Sequence, residues 1–146
     1  MARQPGKIDK LVTLANAEER QSGERTGRVQ SQLNEQLRRL AELNAYRQSY
    51  AEKGDDQERI HSVHWKDYQN FLYRLDQAVR SQQQIVQDCE RSLETHRQHW
   101  LKKRQRLESL QKVQDRYLKE AEIQEDRREQ RVLDDLPAKP PIFHDD

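Results

Sequence analysis

The chain has little of what a compact core is made from. It carries a single cysteine, Cys89, so no disulfide can form within it, which fits a reducing compartment. Its four glycines and four prolines are few, and none falls between Gly54 and Pro137, so a helix there would meet no breaker. No stretch approaches the ~18 consecutive apolar residues of a membrane span, and the N-terminal MARQPGKIDKLVTLANA lacks the apolar run of a signal peptide or anchor. Hydrophobic residues are 32% and charged residues 36% of the 146, against about 45–50% and about 25% in an average globular domain. That composition excludes a multilayered core. An excess of one charge is lacking too: 27 basic residues offset 26 acidic ones, for a net charge of +1. This disfavours a disordered polyelectrolyte and argues against nucleic acid as the main partner, which would call for a basic face.

What is present is helical periodicity. From Trp65, steps of three and four pass through Tyr68, Leu72, Leu75, Val79, Gln82, Val86, Cys89, Leu93, His96, Trp100, Lys103, Leu107, Leu110, Gln114, Tyr117 and Ala121. This is a heptad seam. If Trp65 is an a position, every a residue through Leu107 is apolar, while the d row is weakened by Gln82, His96 and Lys103. A fainter copy runs earlier in the chain, through Ile8, Val12, Ala15, Glu19, Ser22, Thr26, Val29, Leu33, Gln36, Leu40, Leu43, Arg47 and Tyr50. Gly23 and Gly27 lie inside it and each disfavours helix by about 1 kcal/mol relative to Ala, so the first helix is expected to be soft near 21–28. Between the seams, Gly54 suits the left-handed residue that ends a helix. Asp55 or Asp56 can cap the next, with Glu58 completing a capping box.

The expected fold is therefore all-α, a single domain forming a long two-helix antiparallel coiled-coil hairpin with unequal arms. Its first helix spans about 5–53, its turn about 54–57, its second helix about 56–135, and a flexible Pro-rich tail covers 136–146. Two registers keep a against d. One sets Leu43 against Trp65, Leu40 against Tyr68 and Leu33 against Leu75. The other, preferred although it needs a longer loop, sets Leu43 against Leu72, Leu40 against Leu75, Ala15 against Trp100 and Glu19 against His96.

Two surfaces are left over. The first helix is expected to run out beside about residue 105, so that Leu107 to Asp135 projects alone with an apolar stripe of Leu107, Leu110, Val113, Tyr117, Leu118 and Ala121. An isolated amphipathic helix seldom stays ordered; this one frays, pairs with a second copy, or inserts into a partner. The second surface is aromatic. Trp65, Tyr68, Phe71 and Tyr73 crowd into nine residues of a chain with two Trp, five Tyr and two Phe, and Tyr46 and Tyr50 join them from the first helix. A two-stranded coiled coil buries little beyond a and d. Such a cluster either plugs the end of the hairpin or docks a partner.

Other motifs carry less. His61 with His64, and His96 with His99, share helix faces but lack the three or four ligands of a zinc site. Cys89 in the seam acts as a small hydrophobe. The run RQHWLKKRQR, Arg97 to Arg106, reads as a solvated face, with phosphate or an acidic protein as the alternative. There is no glycine-rich phosphate loop and no Ser/His/Asp arrangement, and a hairpin has no concave site. No catalysis, metal or cofactor is expected.

The combination of Tyr46-x-x-x-Tyr50, a polar turn, WKDYQNF (Trp65 to Phe71) and HWLKKRQRLESLQKVQDR (His99 to Arg116) resembles the FliJ family, the small coiled-coil component of the flagellar type III export apparatus. The resemblance covers about residues 29–131. It implies a non-enzymatic cytoplasmic hairpin, shaped like the stalk of rotary F-type ATPases and peripherally associated with the inner-membrane export gate. It implies three kinds of partner: the hexameric export ATPase FliI, whose ring assembly it promotes, the export gate protein FlhA, and substrate-escort chaperones. Nucleic acid and direct membrane insertion are not implied. The stalk likeness assigns the end around Leu107 to Leu133 to the ATPase ring. The family's gate contact carries over to Leu43, Tyr46, Tyr50, Phe71, Leu75 and Ala78. A structural coiled-coil tether or homodimer, the equivalent stalk of a virulence injectisome, and a nucleic-acid-binding rod remain as alternatives.

Overall fold

A computed structural model describes residues 5–56 and 62–137, with side chains placed for 6–53 and 64–137. It holds two α-helices, α1 (Pro5–Asp56, 52 residues) and α2 (Ser62–Asp135, 74 residues), packed against each other as a helical hairpin. No strand occurs among the described residues. Pro5 opens α1, where its missing N–H costs nothing and its fixed φ suits the first turn. α2 stops two residues before Pro137, because a proline ring disfavours helical backbone in the residue ahead of it.

The connection differs from the sequence expectation. α1 continues through Gly54 and Asp55 to Asp56, so none of the three begins the second helix, which starts instead at Ser62. Glu58 of the expected capping box, His61 of the first histidine pair and residues 138–146 of the tail lie outside the described residues. Gly23 and Gly27 do not interrupt α1.

The chain divides into two compact units, residues 1–17 with 105–146 and residues 18–104. In the 18–104 unit the core is a cluster of Leu33, Val86 and Leu93, with Val29, Leu40 and Cys89 packed on it. Leu75 and Val79 continue the buried row of α2. These are the a and d residues of the heptad reading. Gln82, the polar intruder in the d row, is buried but not orphaned: its amide donates to the Gln36 carbonyl at 3.0 Å and to the Gln36 side-chain oxygen at 2.7 Å. A buried amide left without partners would cost about 1–3 kcal/mol.

The cross-helix bonds fix an antiparallel register that neither expected alignment supplies. Tyr68 meets Tyr50, Gln82 meets Gln36, and Thr26 meets His96. Trp100 stands against Glu19 and Gly23 rather than Ala15. α1 is thus shifted one to two helical turns relative to the preferred alignment. The cause is where the helices end and begin: α1 runs on to Asp56 and α2 starts only at Ser62, so both helices meet later partners. A slip of whole heptads keeps a against d, so the pattern alone could not reject it.

The shift also corrects how far α1 reaches. In the unit of residues 1–17 and 105–146, Ile8 and Ala15 are buried, and the Gln114 amide donates to Asp9 at 2.7 Å. Leu107, Leu110, Val113 and Tyr117 are half-buried there, not projecting alone. Exposure becomes continuous only from Ala121 to Pro137. The bare helical end, Ala121 to Asp135, is about 22 Å long at 1.5 Å per residue, roughly half the span expected from Leu107.

Candidate functional site

The aromatic end lies in the 18–104 unit and is built by both helices. Tyr46 and Tyr50 sit one turn apart on α1, and Trp65, Tyr68 and Phe71 sit at steps of three on α2. Spacings of three and four residues return to one helix face, so each helix offers a short aromatic ladder. The ladders interlock. Trp65 stacks on Tyr68 at 5.6 Å between ring centroids, and Tyr68 stacks on Tyr50 at 5.0 Å. Tyr50 packs on Phe71 at 4.6 Å, and Phe71 meets the Tyr46 ring edge-on at 6.3 Å. Offset and edge-to-face pairs at these distances each add about 0.5–1.5 kcal/mol beyond area burial. The Tyr68 hydroxyl donates to the Tyr50 and Ala51 carbonyls at 3.1 and 3.3 Å. It thereby ties the last turns of α1 to the first turns of α2. Arg47 and Asp76 form an ion pair beside the cluster.

The cluster is ordered yet not covered. Tyr46 is 53% exposed, Trp65 43% and Tyr73 62%. Tyr50 and Phe71 are half-buried, with their contacts inside the cluster. Of the six residues assigned to a gate contact, the structure brings Tyr46, Tyr50 and Phe71 into mutual ring contact. Leu43 and Ala78 are half-buried in the same unit, while Leu75 is only 8% exposed and belongs to the core. Sequence reasoning placed Tyr68 in the seam but missed its hydroxyl bridge. A tyrosine in place of an aliphatic d residue near a turn is the signal available for it. Trp65, stacked and exposed, extends the patch beyond those six.

The six residues assigned to the ATPase ring behave differently. Leu118 and Ala121 are exposed, whereas Leu107, Leu110, Val113 and Tyr117 are half-buried. Beyond them Ile123, Val132, Leu133 and Leu136 are exposed, each by half or more. On a helix at 100° per residue, Leu118 and Val132 share one face, with Glu125 and Glu129 between them.

The basic run is largely engaged within its own unit. Arg97 donates to Gln30 at 3.0 Å, Lys103 pairs with Glu18 at 3.2 Å, and Arg104 lies over the Trp100 ring at 5.6 Å. Three of its five cations thus have internal partners. Among the described residues no group of three or more His, Cys, Asp or Glu is placed to hold a metal, and no helix is long and apolar enough to cross a membrane.

Over nearly its whole length the chain is similar to known proteins. The chain is 28% identical over 140 residues to the flagellar FliJ protein of Salmonella typhi, covering 93% of this chain and 94% of that one. It is 28% identical over 138 residues to the flagellar FliJ protein of Escherichia coli K12, covering 92% of each. No solved structure matches it. The family model described as flagellar FliJ protein matches residues 4–139, almost the whole hairpin with both its aromatic end and its bare helical end, and the chain belongs to that family.

Proposed function

We propose that this protein is a non-catalytic component of the flagellar type III export apparatus that couples the export ATPase FliI to the export gate protein FlhA. Family membership supports the flagellar setting. The observation that carries the coupling role is the open aromatic cluster, in which Tyr46 remains 53% exposed while its ring is held by Phe71 and Tyr50. Rigid aromatics in a preordered patch lose little entropy on binding, which is why they dominate interface hot spots. In this reading Tyr46, Tyr50 and Phe71, with Leu43 and Ala78 beside them, receive the gate, and Leu75 supports them from the core. Leu118, Ala121 and the exposed apolar residues after them enter the ATPase ring, with Leu107, Leu110, Val113 and Tyr117 contributing only their outer edges. The protein works in the cytoplasm, beside the inner-membrane gate, and binds substrate-escort chaperones.

Titration of FlhA against the wild-type protein and Tyr46→Ala tests the gate half. Tyr46 is exposed, so the variant should keep the wild-type helical circular dichroism. Its affinity should fall at least tenfold, a modest hot-spot loss. Unchanged affinity with unchanged helicity would remove the aromatic patch from the gate contact.

A further inference from the structure

We infer that α1 carries a hinge at residues 22–28, on which the preceding part of the helix opens from α2 as one cooperative arm. The opening stands on packing alone; only its use by a partner rests on the function proposed above.

The seam is unlike itself on the two sides of Val29. From Val29 to Leu40 it closes over the apolar Leu33–Val86–Leu93 cluster, with Gln36 its one polar member. Toward the N-terminus the next buried residues are Thr26 and Ser22, both polar. Thr26 offers its hydroxyl to the Ser22 carbonyl at 2.8 Å and to the His96 carbonyl at 3.3 Å. A threonine bonding back to the carbonyl four residues earlier competes with the helix ladder and tends to bend it. Gly23 and Gly27 flank this bond, and each gives the chain extra freedom to leave the helix. The large apolar side chain in this layer, Trp100, lies on Gly23, which has no side chain to return the contact, and is held by Glu19 through one hydrogen bond of 2.9 Å. Melting residues 22–28 would uncover Trp100 but release no buried aliphatic side chain of α1, and regions of low apolar contact are where local opening concentrates.

The part of α1 before the hinge is short. Residues 5–17 are anchored within their own unit by Ile8, Ala15 and the Asp9–Gln114 bond, and residues 18–21 within the other by Glu18–Lys103 and Glu19–Trp100. Detached, a helix of this length is marginal in water, so release and unwinding should coincide. Release would uncover the half-buried Leu107, Leu110, Val113 and Tyr117 of α2. The arm is thus a built-in cover for an apolar stripe.

Residue-resolved amide hydrogen exchange on the full chain, without partners, decides the matter. Residues 8–21 should exchange at one common rate, faster than residues 29–43, with the step between Ser22 and Val29. A smooth gradient inward from residue 5 would mean ordinary end fraying and would overturn the hinge, as would equal protection of both segments. Gly27→Ala, whose new Cβ meets no atom within 4 Å, should slow the 8–21 group about fivefold, the ratio that a helix-propensity difference of about 1 kcal/mol gives. Exchange of 8–21 that the variant leaves unchanged would also overturn it.

Discussion

At the scale of single residues, Gly23 and Gly27 have the same sequence context and opposite environments. A Cβ on Gly23 would lie 3.1 Å from Trp100 Nε1, while one on Gly27 would meet nothing. The indole has little room to give way, since Glu19 bonds its N–H and Arg104 covers its face. Gly27→Ala should therefore stabilise the protein by about 1 kcal/mol, the helix-propensity gain. In Gly23→Ala the same gain should be offset by overpacking, which costs about 1–3 kcal/mol. Urea denaturation of the two variants measures the difference, and equal gains would show that Trp100 yields freely. Sequence reasoning treated both glycines as helix weaknesses, a local property. It could not see that one accommodates a tryptophan more than seventy residues away, because that depends on register. Trp100 in the seam and the crowding of Trp65, Tyr68 and Phe71 were legible, since heptad position needs only spacing.

At the scale of the elements, the existence, type and direction of α1 and α2 followed from their apolar rows. Alignment did not. Sliding one helix past the other by a heptad preserves every a and d contact class, so helix bounds displaced by a few residues select a different set of partners. The reach of α1 along α2 was misjudged for the same reason, and with it the exposure of Leu107, Leu110, Val113 and Tyr117. The corrected reach separates two truncations. Ending the chain after Glu120 removes only residues beyond the half-buried stripe, so melting should report stability within about 0.5 kcal/mol of wild type, while stimulation of FliI ATP turnover should be lost. Ending it after Arg106 should also strip Ile8 of its surroundings and lower α1 helicity. Full stimulation by the chain ending at Glu120 would exclude the bare end of α2 from the ATPase contact.

At the scale of the whole molecule, composition excluded a globular core and allowed a helical hairpin, and the packing of α1 on α2 is that solution. The polar residues that weaken the seam are satisfied internally: Gln82 by Gln36, Thr26 by carbonyls of both helices, and Lys103 by Glu18. The two uncovered apolar regions, the aromatic cluster and the end of α2, are each formed within a different one of the two compact units. Two exposed apolar patches suit the joining of two partners proposed above. The direct measurement is retention of FliI on immobilised FlhA, with and without this protein. The account predicts that FliI is held only when the protein is added, and that Tyr46→Ala abolishes most of that retention. FliI held equally in its absence, or never held in its presence, would contradict it.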